Sequence, residues 1–108
     1  MKRRSIDPEA DDLDALAGLA RALAALRTAD EVTAFLEDLC TPAERQAMAD
    51  RWRVIPLLLN GMTYRDIHDR TGVSVTTVGR VARCLELGAG GYRTAARRLR
   101  LPGAGSHH

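Results

Sequence analysis

The stretch Met62–Leu85, MTYRDIHDRTGVSVTTVGRVARCL, decides the fold. Thr63 is placed to cap a helix over about Tyr64–Arg70, and Asp66 three residues on is a carboxylate version of the capping-box partner. Ile67 turns inward from that helix. Gly72 falls where the chain must reverse, because glycine accepts positive φ without a Cβ penalty. Ser74 then caps a second helix that runs to about Leu85. On it Val78, Val81 and Leu85 recur at spacings of three and four, one apolar stripe. Thr76, Gly79, Arg80 and Arg83 occupy the opposite face. Two short helices joined by a glycine turn read as a helix-turn-helix over residues 63–85.

The second helix has the composition of a recognition helix. Hydroxyls and a small residue allow close approach to a groove, arginine can pair with guanine bidentately, and the helix start offers free N–H groups to phosphate. The competing reading is an ordinary packed helix pair with a solvated polar face. The joint spacing of Ile67, Gly72, Val73, Val78 and Val81 favours DNA. His68 is the exception: it stands where many such motifs place a small residue, and it is read as pointing outward.

Outward from this stretch, 108 residues make one domain with a modest core. Apolar residues are 45% of the chain but only four are aromatic and many are alanine, so a lone monomer would be marginal. A dimer answers that shortage. No run approaches a membrane span, and acids at Asp7, Glu9, Asp11 and Asp12 stand where a signal peptide needs apolar residues; a soluble, cytoplasmic protein is expected. Cys40 and Cys84 form no disulfide framework and are read as small buried hydrophobes at helix ends. No Cys/His spacing fits a metal site. The net charge of +2 conceals an asymmetry. Residues 1–40 hold five Lys/Arg against nine acids, whereas residues 62–108 hold eight arginines against three acids. The basic half contains the helix-turn-helix and supplies general attraction for phosphate.

In chain order, residues 1–7 read as a loose arm carrying Lys2, Arg3 and Arg4. A helix opens at Pro8 with Asp7 as cap and runs to about Arg27, its Leu13, Leu16, Leu19, Leu23 and Leu26 making a face wide enough for two neighbours. Thr28 starts a short helix ending near Cys40. Thr41-Pro42-Ala43-Glu44 is a full capping box for the next helix, which carries Met48, Trp52, Ile55, Leu58 and Leu59. Pro56 within it predicts a kink or a break, and Asn60-Gly61 ends it. A glycine-rich turn follows Leu85, then a last helix over Tyr92–Leu101 with Arg93, Arg97, Arg98 and Arg100. Residues 102–108 read as a disordered tail whose His107 and His108 resemble tag residues. All-α architecture with six helices follows, a single domain over residues 8–101.

Cys40-Thr41-Pro42-Ala43-Glu44-Arg45, then Arg51, then the helix-turn-helix into Arg83-Cys84-Leu85-Glu86-Leu87-Gly88, resembles the Trp repressor superfamily, and its YerC/YecD branch more narrowly. The resemblance covers about residues 28–100. It implies a six-helix Trp-repressor-like fold, an intertwined homodimer, and two reading heads that enter successive major grooves of double-stranded DNA. By the same resemblance Arg65 would reach a guanine, and Ser74, Val75, Thr76 and Gly79 would meet bases directly or through water; Thr77, Arg80 and Arg83 on the same helix complete the expected DNA-binding set. The repressor's tryptophan pocket corresponds to Thr41, Arg51, Thr77, Arg80, Val81 and Cys84. Val81 replaces the glycine that leaves room for the indole, and Cys84 replaces a serine, so the resemblance implies a regulator that does not bind tryptophan and needs no cofactor.

Two alternatives stay open at this stage: a repressor gated by tryptophan or another small molecule, and a helical protein-interaction module without DNA binding. An enzyme is not indicated. The acids are scattered, His68 is the one histidine before the tail, and no nucleophile has a base at a recognisable spacing.

Overall fold

A computed structural model describes residues 8–105, with side chains from residue 12 onward. The expectations for residues 1–7, Asp7 as cap among them, and for His107 and His108 lie outside the described residues. Within them are six helices and no strand: α1 (Pro8–Ala25), α2 (Ala29–Leu39), α3 (Pro42–Leu59), α4 (Tyr64–Thr71), α5 (Val75–Leu87) and α6 (Gly91–Arg98). None of these is long and apolar enough to cross a membrane. The chain divides into two units, one ending at Thr41 and one starting at Pro42.

The first unit holds α1 and α2. Thr28 caps α2 as expected: its backbone is extended and its Oγ1 accepts the Glu31 N–H at 3.1 Å. Glu31 reaches back one residue further out, its Oε1 accepting the Arg27 N–H at 2.7 Å. Such reciprocal capping satisfies amides that a helix start otherwise leaves to water. Packing is another matter, because no described side chain of this unit is buried. Leu13 and Leu16 are 67% and 63% exposed, although they sit on the broad apolar face of α1.

The second unit contains the core. Val54 and Ile55 from α3, Ile67 from α4, Val73 from the turn, and Val78, Val81 and Leu85 from α5 close over one another, with Ala96 of α6 and Ala104. Trp52, Leu57, Leu58, Leu59, Met62, Tyr92 and Leu101 pack around this cluster. The α5 stripe at 78, 81 and 85 is therefore the buried side, and α3 forms the floor against which α4, α5 and α6 pack.

Two expectations need correction. Of the kink or break expected at Pro56, the break does not occur: α3 continues to Leu59. Proline removes one backbone donor and crowds the preceding turn, a cost of about 3 kcal/mol in an unconstrained helix. Val54 and Ile55, both fully buried immediately before it, hold the backbone in place against that cost. Pro56→Ala is accordingly expected to stabilise the fold by at least about 1 kcal/mol in thermal or denaturant unfolding; a lowered melting temperature would mean that the packing depends on the proline ring.

The second correction concerns the segment after Leu101, which is not a free tail. Leu101 N–H bonds the Ala96 carbonyl at 3.0 Å, Ala104 N–H bonds the Leu101 carbonyl at 3.0 Å, and Ala104 is 1% exposed. Gly103 makes the turn possible. Its φ is +87°, and a Cβ there would lie 2.6 Å from the Leu59 carbonyl oxygen. The chain thus folds back against the end of α3 within the second unit.

Candidate nucleic-acid interface and adjoining pocket

The helix-turn-helix is built from short-range hydrogen bonds that its own residues supply. Thr63 caps α4, its Oγ1 accepting the Asp66 N–H at 3.1 Å. Gly72 ends α4 in the left-handed conformation, φ 80°, with its N–H on the His68 carbonyl at 2.7 Å. Thr71 ties the turn internally: its hydroxyl donates to the Ile67 carbonyl at 2.7 Å and accepts the Val73 N–H at 3.0 Å. Ser74 caps α5, accepting the Thr77 N–H at 3.1 Å and donating to Thr77 Oγ1 at 3.0 Å. Its hydroxyl is engaged in holding the helix start, which gives Ser74 a positioning role beside any base contact.

His68 does not point outward. Its ring is half-buried and Nδ1 lies 2.9 Å from the Val73 carbonyl oxygen. A carbonyl only accepts, so Nδ1 carries the proton and donates. Histidine here is a second strap across the turn that a small residue could not provide. His68→Ala leaves that part-buried carbonyl without its partner, and a loss of about 1 kcal/mol in unfolding free energy is expected. No change would show that Gly72 and Thr71 hold the turn unaided.

With the turn fixed, α5 has two distinct sides. Val78, Val81 and Leu85 are buried, whereas Val75, Thr76, Arg80 and Arg83 are exposed, and so is Arg65 at the start of α4. Among the described residues no acid pairs with Arg65, Arg80 or Arg83. Gly79 is half-buried beneath the Tyr64 ring, whose edge lies 3.7 Å from where a Cβ would be. An alanine would fit there, so glycine is not demanded by the interior of the fold.

A pocket of about 290 Å³ adjoins this surface, lined by Arg51, Thr77, Arg80, Val81, Cys84 and Tyr92. Five of the six residues expected to line a ligand pocket thus come together. Thr41 belongs to the first unit. Val81, 1% exposed, forms part of the wall of this pocket. Neither Arg51 nor Arg80 has an acidic partner among the described residues. Cys84 is exposed and three residues short of the end of α5, not a buried terminal hydrophobe. Tyr92 is the residue that sequence reasoning missed. It reaches the pocket because its ring packs against Trp52, centroids 6.3 Å apart, a pairing between positions forty residues apart.

These elements define a helix-turn-helix protein in which α5 presents a polar, basic outer face. The Trp repressor protein family matches residues 14–100, and the chain belongs to that family. It is 38% identical over 82 residues to the uncharacterized protein YerC of Bacillus subtilis (strain 168), a match that covers 76% of this chain and 79% of the relative. A TrpR-like protein from Eubacterium eligens ATCC 27750 has a similar crystal structure: TM-score 0.75 at 36% identity, over 82% of this chain and 91% of the other. The crystal structure of a putative Trp repressor from Staphylococcus aureus matches with TM-score 0.75 at 33% identity, over 82% and 88%.

Proposed function

We propose that the chain is one subunit of a homodimeric, sequence-specific regulator of transcription, repressor-like and cytoplasmic, that reads double-stranded DNA with α4 and α5 and does so without tryptophan. The observation that carries this reading is the exposed set Arg65, Val75, Thr76, Arg80 and Arg83 on a helix pair whose turn is held by His68, Thr71, Gly72 and Ser74. A reading head whose guanidiniums have no acidic partner among the described residues suits phosphate attraction and base contact together. Gly79 adds support: mid-helix glycine is about 1 kcal/mol less favourable than alanine, and close approach of the helix to a groove gives a reason to keep it. The uncovered leucines of the first unit support a dimer, since a second copy would bury them.

Tryptophan independence rests on Val81 and Cys84, a β-branched wall and a thiol where the resemblance places a glycine and a serine. One observation favours a second reading. The pocket of about 290 Å³ holds Arg51 and Arg80, neither with an acidic partner among the described residues, which suits a ligand-gated regulator.

Binding-site selection from random duplex DNA at near-physiological salt, with and without tryptophan, separates the possibilities. Enrichment of a palindrome without ligand is expected. Enrichment only with tryptophan would replace the first reading by the second, and no enrichment in either condition would favour a different small-molecule effector or a protein-interaction module.

A further inference from the structure

Four arginines, Arg93, Arg97, Arg98 and Arg100, fall within eight residues, and no acid follows Glu86 in the chain. Ala96 is buried and Tyr92 half-buried, which fixes the inner face of α6; Arg97, Arg98 and Arg100 are exposed and Arg93 is half-buried. Among the described residues none of the four has an ion-pair partner.

The backbone adds an independent observation. After α6 the Leu101 N–H reaches back to the Ala96 carbonyl at 3.0 Å, the long bond of a Schellman-type ending. Arg100 occupies the left-handed position of that ending, φ 59°, and is the one non-glycine residue with positive φ among the described residues. Glycine is the usual occupant there, and arginine is not favoured by the fold.

We infer that the α6 arginines form a second phosphate-binding surface, which grips the DNA backbone beyond the base pairs met by α4 and α5. This rests on the DNA-binding reading above. Duplex DNA is the occupant the observations favour, because α6 packs on α5 within one unit. Arg51 and Arg80 line a common pocket with Tyr92 of α6, so two guanidiniums of the DNA-reading unit meet the first turn of the helix that carries Arg93, Arg97 and Arg98. Backbone phosphates are spaced closely enough to meet several guanidiniums at once. The competing occupant is the acidic stretch 7–14 of a second copy.

The test is salt-dependent fluorescence anisotropy on a selected site, in one duplex that ends at the site and in one flanked by about a further helical turn on each side. Wild-type protein is compared with Arg97→Gln/Arg98→Gln/Arg100→Gly and with Arg100→Gly alone. On the flanked duplex the triple variant should bind at least tenfold more weakly. Its salt slope should fall by about 0.9 for each phosphate that an arginine no longer neutralises. On the short duplex the two proteins should agree within twofold. Arg100→Gly relieves the left-handed arginine, so its melting temperature should rise while its slope on the flanked duplex falls, a combination that misfolding would not produce.

Identical slopes for wild type and both variants on the flanked duplex would overturn the inference while leaving the DNA reader intact. A variant dimer whose dissociation no longer depends on salt, with DNA slopes unchanged, would assign the arginines to the second copy. Failure of wild-type protein to bind either duplex would instead defeat the DNA-binding reading itself.

Discussion

Leu13→Glu combined with Leu16→Glu is expected to leave the protein monomeric at micromolar concentration. The two leucines are largely exposed on α1, and no described side chain of the first unit is buried. Covering a leucine is worth about 1.5–3 kcal/mol, and a two-fold interface counts each substitution twice. A pair of leucines per subunit therefore corresponds to several kcal/mol even after discounting incomplete burial, and the introduced carboxylates would resist desolvation. Sedimentation velocity should show the wild type as a dimer and the variant as a monomer. Since one subunit carries one reading head, affinity for a palindromic site should fall far more than affinity for a half-site. A variant that remains dimeric would place the contact between copies elsewhere.

Arg65→Ala should relax sequence preference at one base pair of each half-site. A bidentate arginine–guanine pair is worth about 1–3 kcal/mol of discrimination, or roughly 5- to 150-fold. Arg65 is exposed at the first turn of α4 with no acidic partner among the described residues, so its removal leaves no buried group unsatisfied and the melting temperature should hold. The measurement is competition between the selected site and each single-base variant. Loss of discrimination confined to one position is the expected result. A uniform drop across all variants, with a shallower salt slope, would make Arg65 a phosphate contact and move base reading to the start of α5.

The parts of the fold that the sequence made legible are those decided over short distances. Thr28, Thr63 and Ser74 each cap the helix expected of them, accepting an N–H three residues ahead. Gly72 takes the positive φ that its place between two periodic segments required. The buried side of α5 followed from the spacing of Val78, Val81 and Leu85. What escaped was set by distant partners. His68 could not be assigned a direction until the position of the Val73 carbonyl was known. Continuity through Pro56 depends on the burial of its neighbours, and Tyr92 enters the pocket through Trp52. Five pocket residues came from likeness to a family, not from their spacing, since they are drawn from two helices that only the fold brings together.

The folded-back segment at Leu101–Gly105 bears on how the gene should be cut. A coding boundary placed after Leu101, where the helical pattern of the sequence stops, would remove Ala104 from the core and uncover the Leu59 end of α3. Such a product would be shortened by only a few residues and yet lack a stopper that seals the underside of the domain. Reporter fusions and affinity handles belong beyond Gly105, behind a spacer, so that the seal can close before the appended sequence begins.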